Sequence, residues 1–135
     1  MHHPAVFFDE LIKERRELKE FIVSNHQQVR AVFEDHSSVK LVISGHIHTR
    51  GHLFFSGIHY ISTPSINTWP MMYTKFVLDG DLVTYEHIPI WQTQKTEEAL
   101  SELLRAEAWL KVFGNPDEVK RYFSKGNIKD VLTLN

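Results

Sequence analysis

The sequence predicts an α/β chain in which helices at both ends enclose a mostly extended middle. Three stretches carry that expectation. Residues 7–33 are rich in Glu, Lys, Arg and Gln with apolar residues interleaved, the composition of an amphipathic helical segment. The run "VKLVIS" at 39–44 is β-branched and short, as buried strands are. "TKFVLDGDLVTYEHIPI" at 74–90 is two extended runs around Asp79-Gly80, the strongest hairpin signal in the chain.

In order along the chain, Asp9 is a candidate cap for a first helix reaching towards Ile22, with Leu11, Leu18 and Phe21 or Ile22 on its buried face. Ser24-Asn25 marks a break and a new cap for a second helical piece carrying Val29, Val32 and Phe33. "VKLVIS" follows as a strand ended by Gly45, and then the loop "GHIHTRG". "HLFFS" and "IHYIST" read as a hairpin joined at Ser56-Gly57. "PSINTWPMM" is punctuated by Pro64 and Pro70 and reads as loop. After the second hairpin, "QTQK" at 92–95 is the expected boundary between a first unit, residues 1–91, and a helical appendage, residues 96–135. There Thr96 is a candidate cap, Ala99, Leu103, Ala106, Leu110 and Phe113 share a face, Gly114 ends the helix, and Pro116 opens another behind Asn115.

Composition narrows the function classes. At 135 residues the chain has the length of one globular unit. A formal charge of −2 without a clustered basic stripe argues against binding to a nucleic-acid polymer, although nucleotides and small phosphates stay open. Without cysteine there is neither a disulfide framework nor a thiolate zinc site, and a reducing cytoplasmic compartment is the simplest expectation. No apolar run approaches the roughly 20 residues that span a bilayer.

Nine histidines dominate the chemistry, and H-x-H alone is weak among so many. Imidazole is nevertheless a favoured ligand for zinc, manganese and iron. In an extended segment His46 and His48 project to one side while Ile47 turns away, just beyond the carboxyl end of a strand, where open α/β sheets place ligands. Pro4 biases His3 towards extended geometry, so one of His2 and His3 faces a given metal. A leftover purification tag is the other reading of "HHP", although tags carry more histidines and a linker. Arg50 and His52 stand close enough in sequence to meet a phosphate, with solvent exposure the alternative for both.

"HHP", a helical spacer and then "VKLVISGHIH" resembles the carboxyl-terminal half of the calcineurin-like metallophosphoesterases, most closely the branch that includes the class III cyclic-nucleotide phosphodiesterases. The resemblance covers about residues 1–90, and "GIHYISTPSINTWPMMYTKFVLDGDLVTYEHIPI" fits that family's closing strands. It implies the carboxyl-terminal half of a four-layer α/β/β/α sandwich, here with a C-terminal helical appendage. It also implies two metal ions, Mn, Fe or Zn, with His2 and His46 on one and His48 on the other. The implied activity is phosphodiester hydrolysis, with a 3',5'-cyclic nucleotide as one candidate substrate. His3, Arg50 and Asn67 are then candidates for supporting the ligands or touching substrate.

The family's D-x-H, G-D-x-x-D and G-N-H-[DE] motifs, which precede H-x-P and supply its carboxylate and amide ligands, do not occur here. The expectation is therefore a fragment whose Met1 is an internal methionine, with partial metal occupancy at most and no efficient catalysis of its own. A half-sandwich exposes sheet edges and an apolar face, so homo-oligomerisation or association with a missing amino-terminal half is expected. The competing readings are a non-catalytic interaction or oligomerisation module and a metal shared by histidines of neighbouring chains. In "PSINTWPMMY", Asn67, Tyr73 and Trp69 either line a pocket for a base or simply pack beneath the sheet edge.

Overall fold

The structure is a computed structural model that describes residues 1–8, 14 and 16–134. The elements run α1 (Arg16–Lys19), α2 (His26–Glu34), β1 (Leu41–Ser44), β2 (Gly51–Phe55), β3 (Ile58–Ser62), β4 (Met72–Asp79), β5 (Leu82–Pro89), α3 (Thr93–Arg105), α4 (Glu107–Phe113), α5 (Pro116–Ser124) and β6 (Lys129–Thr133). The expected α/β class holds. The proposed cap Asp9 and core residue Leu11 lie outside the described residues, whereas Leu18 and Ile22 are buried as expected.

Two small sheets form. In the first, of order β1-β3-β2, β1 runs parallel to β3 and β2 antiparallel to it. The β2–β3 hairpin turns at Ser56-Gly57, both at positive φ, 51° and 74°, which is the type I′ geometry that matches strand twist. The second sheet, β4-β5-β6, is antiparallel throughout. Its hairpin closes on the pair Asp79 and Leu82, so the turn residues are Gly80-Asp81, one position later than the sequence reading placed them.

Side-chain alternation along the strands decides what each face covers. Val42, Ile58 and Tyr60 form a cluster under Val6, Phe8 and Phe33. On the opposite face of the same sheet, Leu41 and Ile61 meet Val83, Tyr85 and Leu132 of the second sheet, so the sheets share a core. A third cluster joins Leu18, Ile22 and Ile47 to Leu103, Val112, Val119, Tyr122 and Phe123 from α3, α4 and α5. The tail thus packs on the histidine loop.

The tail differs from its sequence reading in three particulars. Its first helix begins at Thr93, and Thr96 lies inside it with its hydroxyl donating to the Gln92 carbonyl at 3.0 Å. The helix breaks at Ala106, whose ψ of 110° is extended, before α4 continues to Gly114. After α5, residues 129–133 return as a strand against β5 instead of extending a purely helical tail. The cap at Asn115 is as expected, its side chain accepting from the Glu118 amide at 3.0 Å. Among the described residues no helix is long and apolar enough to cross a membrane.

Candidate metal centre

Backbone pairing brings the two histidine segments together. The Met1 amine donates to the Ile43 carbonyl at 2.7 Å and the Gly45 amide donates to the His2 carbonyl at 3.0 Å, so residues 1 and 2 lie along the end of β1. Pro4 accepts from the Val23 amide at 3.0 Å, which ties the same segment to the turn after α1. The loop beyond β1 is anchored from behind by Ile47, only 4% exposed and packed in the tail's core.

His46 and His48 have φ values of 66° and 55°. Both therefore sit in the left-handed region rather than the extended geometry read from the sequence, a conformation that costs a non-glycine residue about 1 kcal/mol or more and occurs where surrounding packing imposes it. Ile47, pinned between them, supplies that packing.

The result is a group of three imidazoles, His2, His3 and His46, whose ligand nitrogens all lie within 4.8 Å of one another. His46 Nδ1 is 3.1 Å from His2 Nε2. The His3 ring lies against that of His46, centroids 3.6 Å apart, and Phe21 flanks it at 5.4 Å while stacking on Trp109. Burial first, and then the neighbouring His3, His2 and His48, hold the His46 pKa below the ordinary histidine range.

His48 does not join that group. It is half-buried, its Nδ1 lies 2.9 Å from the Thr68 hydroxyl, and burial followed by the proximity of His2 lowers its pKa. His3, given only a supporting role by the sequence reading, takes the third place. Arg50 goes neither to phosphate nor to solvent. It is 8% exposed, its Nε donates to the Lys125 carbonyl at 3.1 Å and its other nitrogens reach the Ser124 carbonyl and the Met72 sulfur, so its charge closes the end of α5.

The pocket read into "PSINTWPMMY" is dispersed. Asn67 is exposed and turned onto the Ser65 hydroxyl, Trp69 packs on the helical core, and Tyr73 projects from the outer face of the second sheet. His52 is neither solvent-exposed nor near the cluster's ligands, and pairs instead with His59 across the first hairpin.

The donor set suits a first-row transition metal, since neutral imidazoles serve zinc, iron and manganese alike. Among the described residues the cluster contains no carboxylate. It therefore fits the imidazole share of one ion's shell and does not contain the bridging ligand of a pair.

No protein-family model matches the chain, and no curated protein does. Among solved structures, the crystal structure of a dimetal phosphatase from Danio rerio is similar at 28% identity and a TM-score of 0.44, over 50% of this chain and 23% of that one. The matched region is thus less than a quarter of the length of that solved chain.

Proposed function

We propose that the chain carries the histidine part of a metal-dependent phosphoesterase site, with a small phosphodiester or nucleotide, a 3',5'-cyclic nucleotide included, as substrate. The observation that carries the reading is the convergence of His2, His3 and His46, segments 44 residues apart in sequence, on a common set of ligand nitrogens. The H-x-P and G-H-x-H motifs supply the reaction class by resemblance.

His2, His3 and His46 would hold a divalent ion of the Mn, Fe or Zn kind. Such an ion, when bound, supplies Lewis-acid polarisation of a phosphoryl oxygen. The chain's own contribution is placement. Ile47 fixes the loop, the β1 edge fixes His2, and the depressed pKa of His46 keeps its ring in the neutral form that ligates. The Thr68 hydroxyl occupies His48 Nδ1 at 2.9 Å, which leaves Nε2 as the nitrogen that would serve a second ion.

An all-imidazole cluster also favours a second reading, a structural ion without catalysis. Both are tested by titrating manganese and zinc into the purified chain and into His46→Ala, and by following manganese-dependent hydrolysis of bis-p-nitrophenyl phosphate. Hydrolysis that disappears with His46→Ala supports the phosphoesterase. Binding lost in the variant, with no hydrolysis in either protein, supports the structural ion. No metal binding by the unaltered chain would overturn both.

A further inference from the structure

A cleft opens beside the imidazole cluster and shares His3 with it. Three segments form it: the stretch that carries His3 and Phe7, the end of α1 with the turn after it, and His26, the first residue of α2. The backbone bond from Val23 to Pro4, which ties down the histidine segment, also fixes Val23 in the cleft wall, so one support serves both sites. The volume of the cleft, about 720 Å³, is that of a small-molecule site, roughly 300–1,000 Å³. Cavities lined by Arg50, by Trp91 and by Trp109 hold about 240, 200 and 210 Å³ and fall below that range.

The chemistry of the lining selects an occupant. Phe7, Ile22 and Val23 give the cleft apolar walls, and the Phe7 and His26 rings meet edge to face with centroids 5.2 Å apart. Polar groups of both kinds stand among them, for Lys19 only donates hydrogen bonds, the Glu20 carboxylate only accepts them, and Ser24 and His26 do either. Lys19 and Glu20 offset each other's charge, so a further phosphate gains little here. A neutral, flat heterocycle gains on both counts, because its faces cover apolar wall while its edge carries donors and acceptors. The base-binding role that the dispersed "PSINTWPMMY" loop leaves unfilled is thus open to this cleft.

We propose that the cleft receives the nucleoside of a phosphoester substrate and so sets the selectivity of the site among phosphoesters. The placement of the phosphate rests on the phosphoesterase reading above. Because His3 belongs to both sites, the phosphate of a nucleotide whose base fills the cleft lies towards the imidazole cluster. Nucleoside binding itself needs neither an ion nor a phosphate.

The test therefore begins without either. The four common ribonucleosides are titrated separately into the unaltered chain while the amide and methyl resonances of Ile22 and Val23 are followed by NMR. At least one nucleoside is expected to shift them, and Ser24→Trp, at an exposed position whose new ring fills the cleft, is expected to abolish those shifts. Shifts confined to other residues, or none with any of the four, would overturn the cleft whatever the chain hydrolyses. Manganese-dependent hydrolysis of the 3',5'-cyclic monophosphate of the nucleoside that binds then separates the two readings. A KM raised in Ser24→Trp with kcat little altered supports both. Hydrolysis at an unchanged KM overturns the cleft and leaves the phosphoesterase standing. Nucleoside binding by a chain that hydrolyses neither this nucleotide nor bis-p-nitrophenyl phosphate leaves the cleft standing and overturns the phosphoesterase.

Discussion

At the scale of single residues, His87 is the most perturbed imidazole. It is 1% exposed on β5, its Nδ1 lies 2.8 Å from the Thr74 hydroxyl, and burial followed by the charge of Arg50 lowers its pKa to about 4. In the unfolded chain the same group titrates near 6.5. Between those values unfolding takes up a proton that the folded protein refuses, so stability is full above about pH 6.5, declines as pH falls and levels off near pH 4. Urea unfolding midpoints measured across that range should therefore fall with acid, and His87→Gln should make the decline shallower. An unchanged slope in the variant would remove His87 from the account. Single residues also show how far the candidate site was legible. The candidate ligand types and their two segments are plain in "HHP" and "GHIH", and β-strand parity about Ser56-Gly57 sets His52 diagonal to His59. The third imidazole is not readable from the sequence, because the backbone is left-handed rather than extended at His46 and His48. Nor is the fate of Arg50, whose two main-chain acceptors lie 74 and 75 residues away.

At the scale of elements, the hairpins, the β1 strand and the start of α5 were legible because their signals are local: turn residues, β-branching and a cap followed by proline. Strand β6 was not. Its five residues gain their conformation from pairing with β5, an interaction 40 or more positions distant, and no periodicity in "NIKDVLTL" outweighs the helical texture before it. The joint between α5 and β6 rests on Gly126. Its φ is 90°, and an added Cβ would meet the Arg50 carbonyl and, at 2.8 Å, the Arg50 Cβ. Gly114, which ends α4 at a φ of 87°, has nothing within 4 Å of the same atom. Alanine at Gly114 therefore brings backbone strain alone, about 1 kcal/mol, whereas alanine at Gly126 adds a clash with main chain, for a total of about 3 kcal/mol. Equilibrium urea denaturation of the two variants should separate them in that order, and equal losses would show that the Arg50 backbone yields freely.

At the scale of the whole molecule, the second sheet leaves an edge and a face for another chain. β4 ends the order β4-β5-β6, and Tyr73, Val77, Leu82 and Val131 on its outer side are 47%, 47%, 45% and 57% exposed. Because the hairpin closes on Asp79 and Leu82, residues 73, 75, 77 and 79 bond to β5 and the main-chain groups of 74, 76 and 78 point to the outer edge, while the Met72 amide donates to the Ser65 carbonyl at 3.0 Å. Lysine on an edge strand ordinarily deters pairing. Here Lys75 has Asp79 four residues on, along the same face. An antiparallel approach of a second copy centred on Val77 sets Lys75 against Asp79 of the other copy twice, lays the two Val77 side chains together, and aligns residues 76 and 78, whose groups face the gap. A register centred on Lys75 would instead oppose like charges. The expected outcome is a dimer that forms with rising concentration in size-exclusion chromatography with light scattering. Lys75→Asp should weaken it by setting carboxylates against Asp79, and adding Asp79→Lys should restore it, because the swap rebuilds both cross-strand ion pairs in the same register. A chain that stays monomeric throughout would show that this edge is closed to its own kind, and a dimer indifferent to both substitutions would place the contact on another surface.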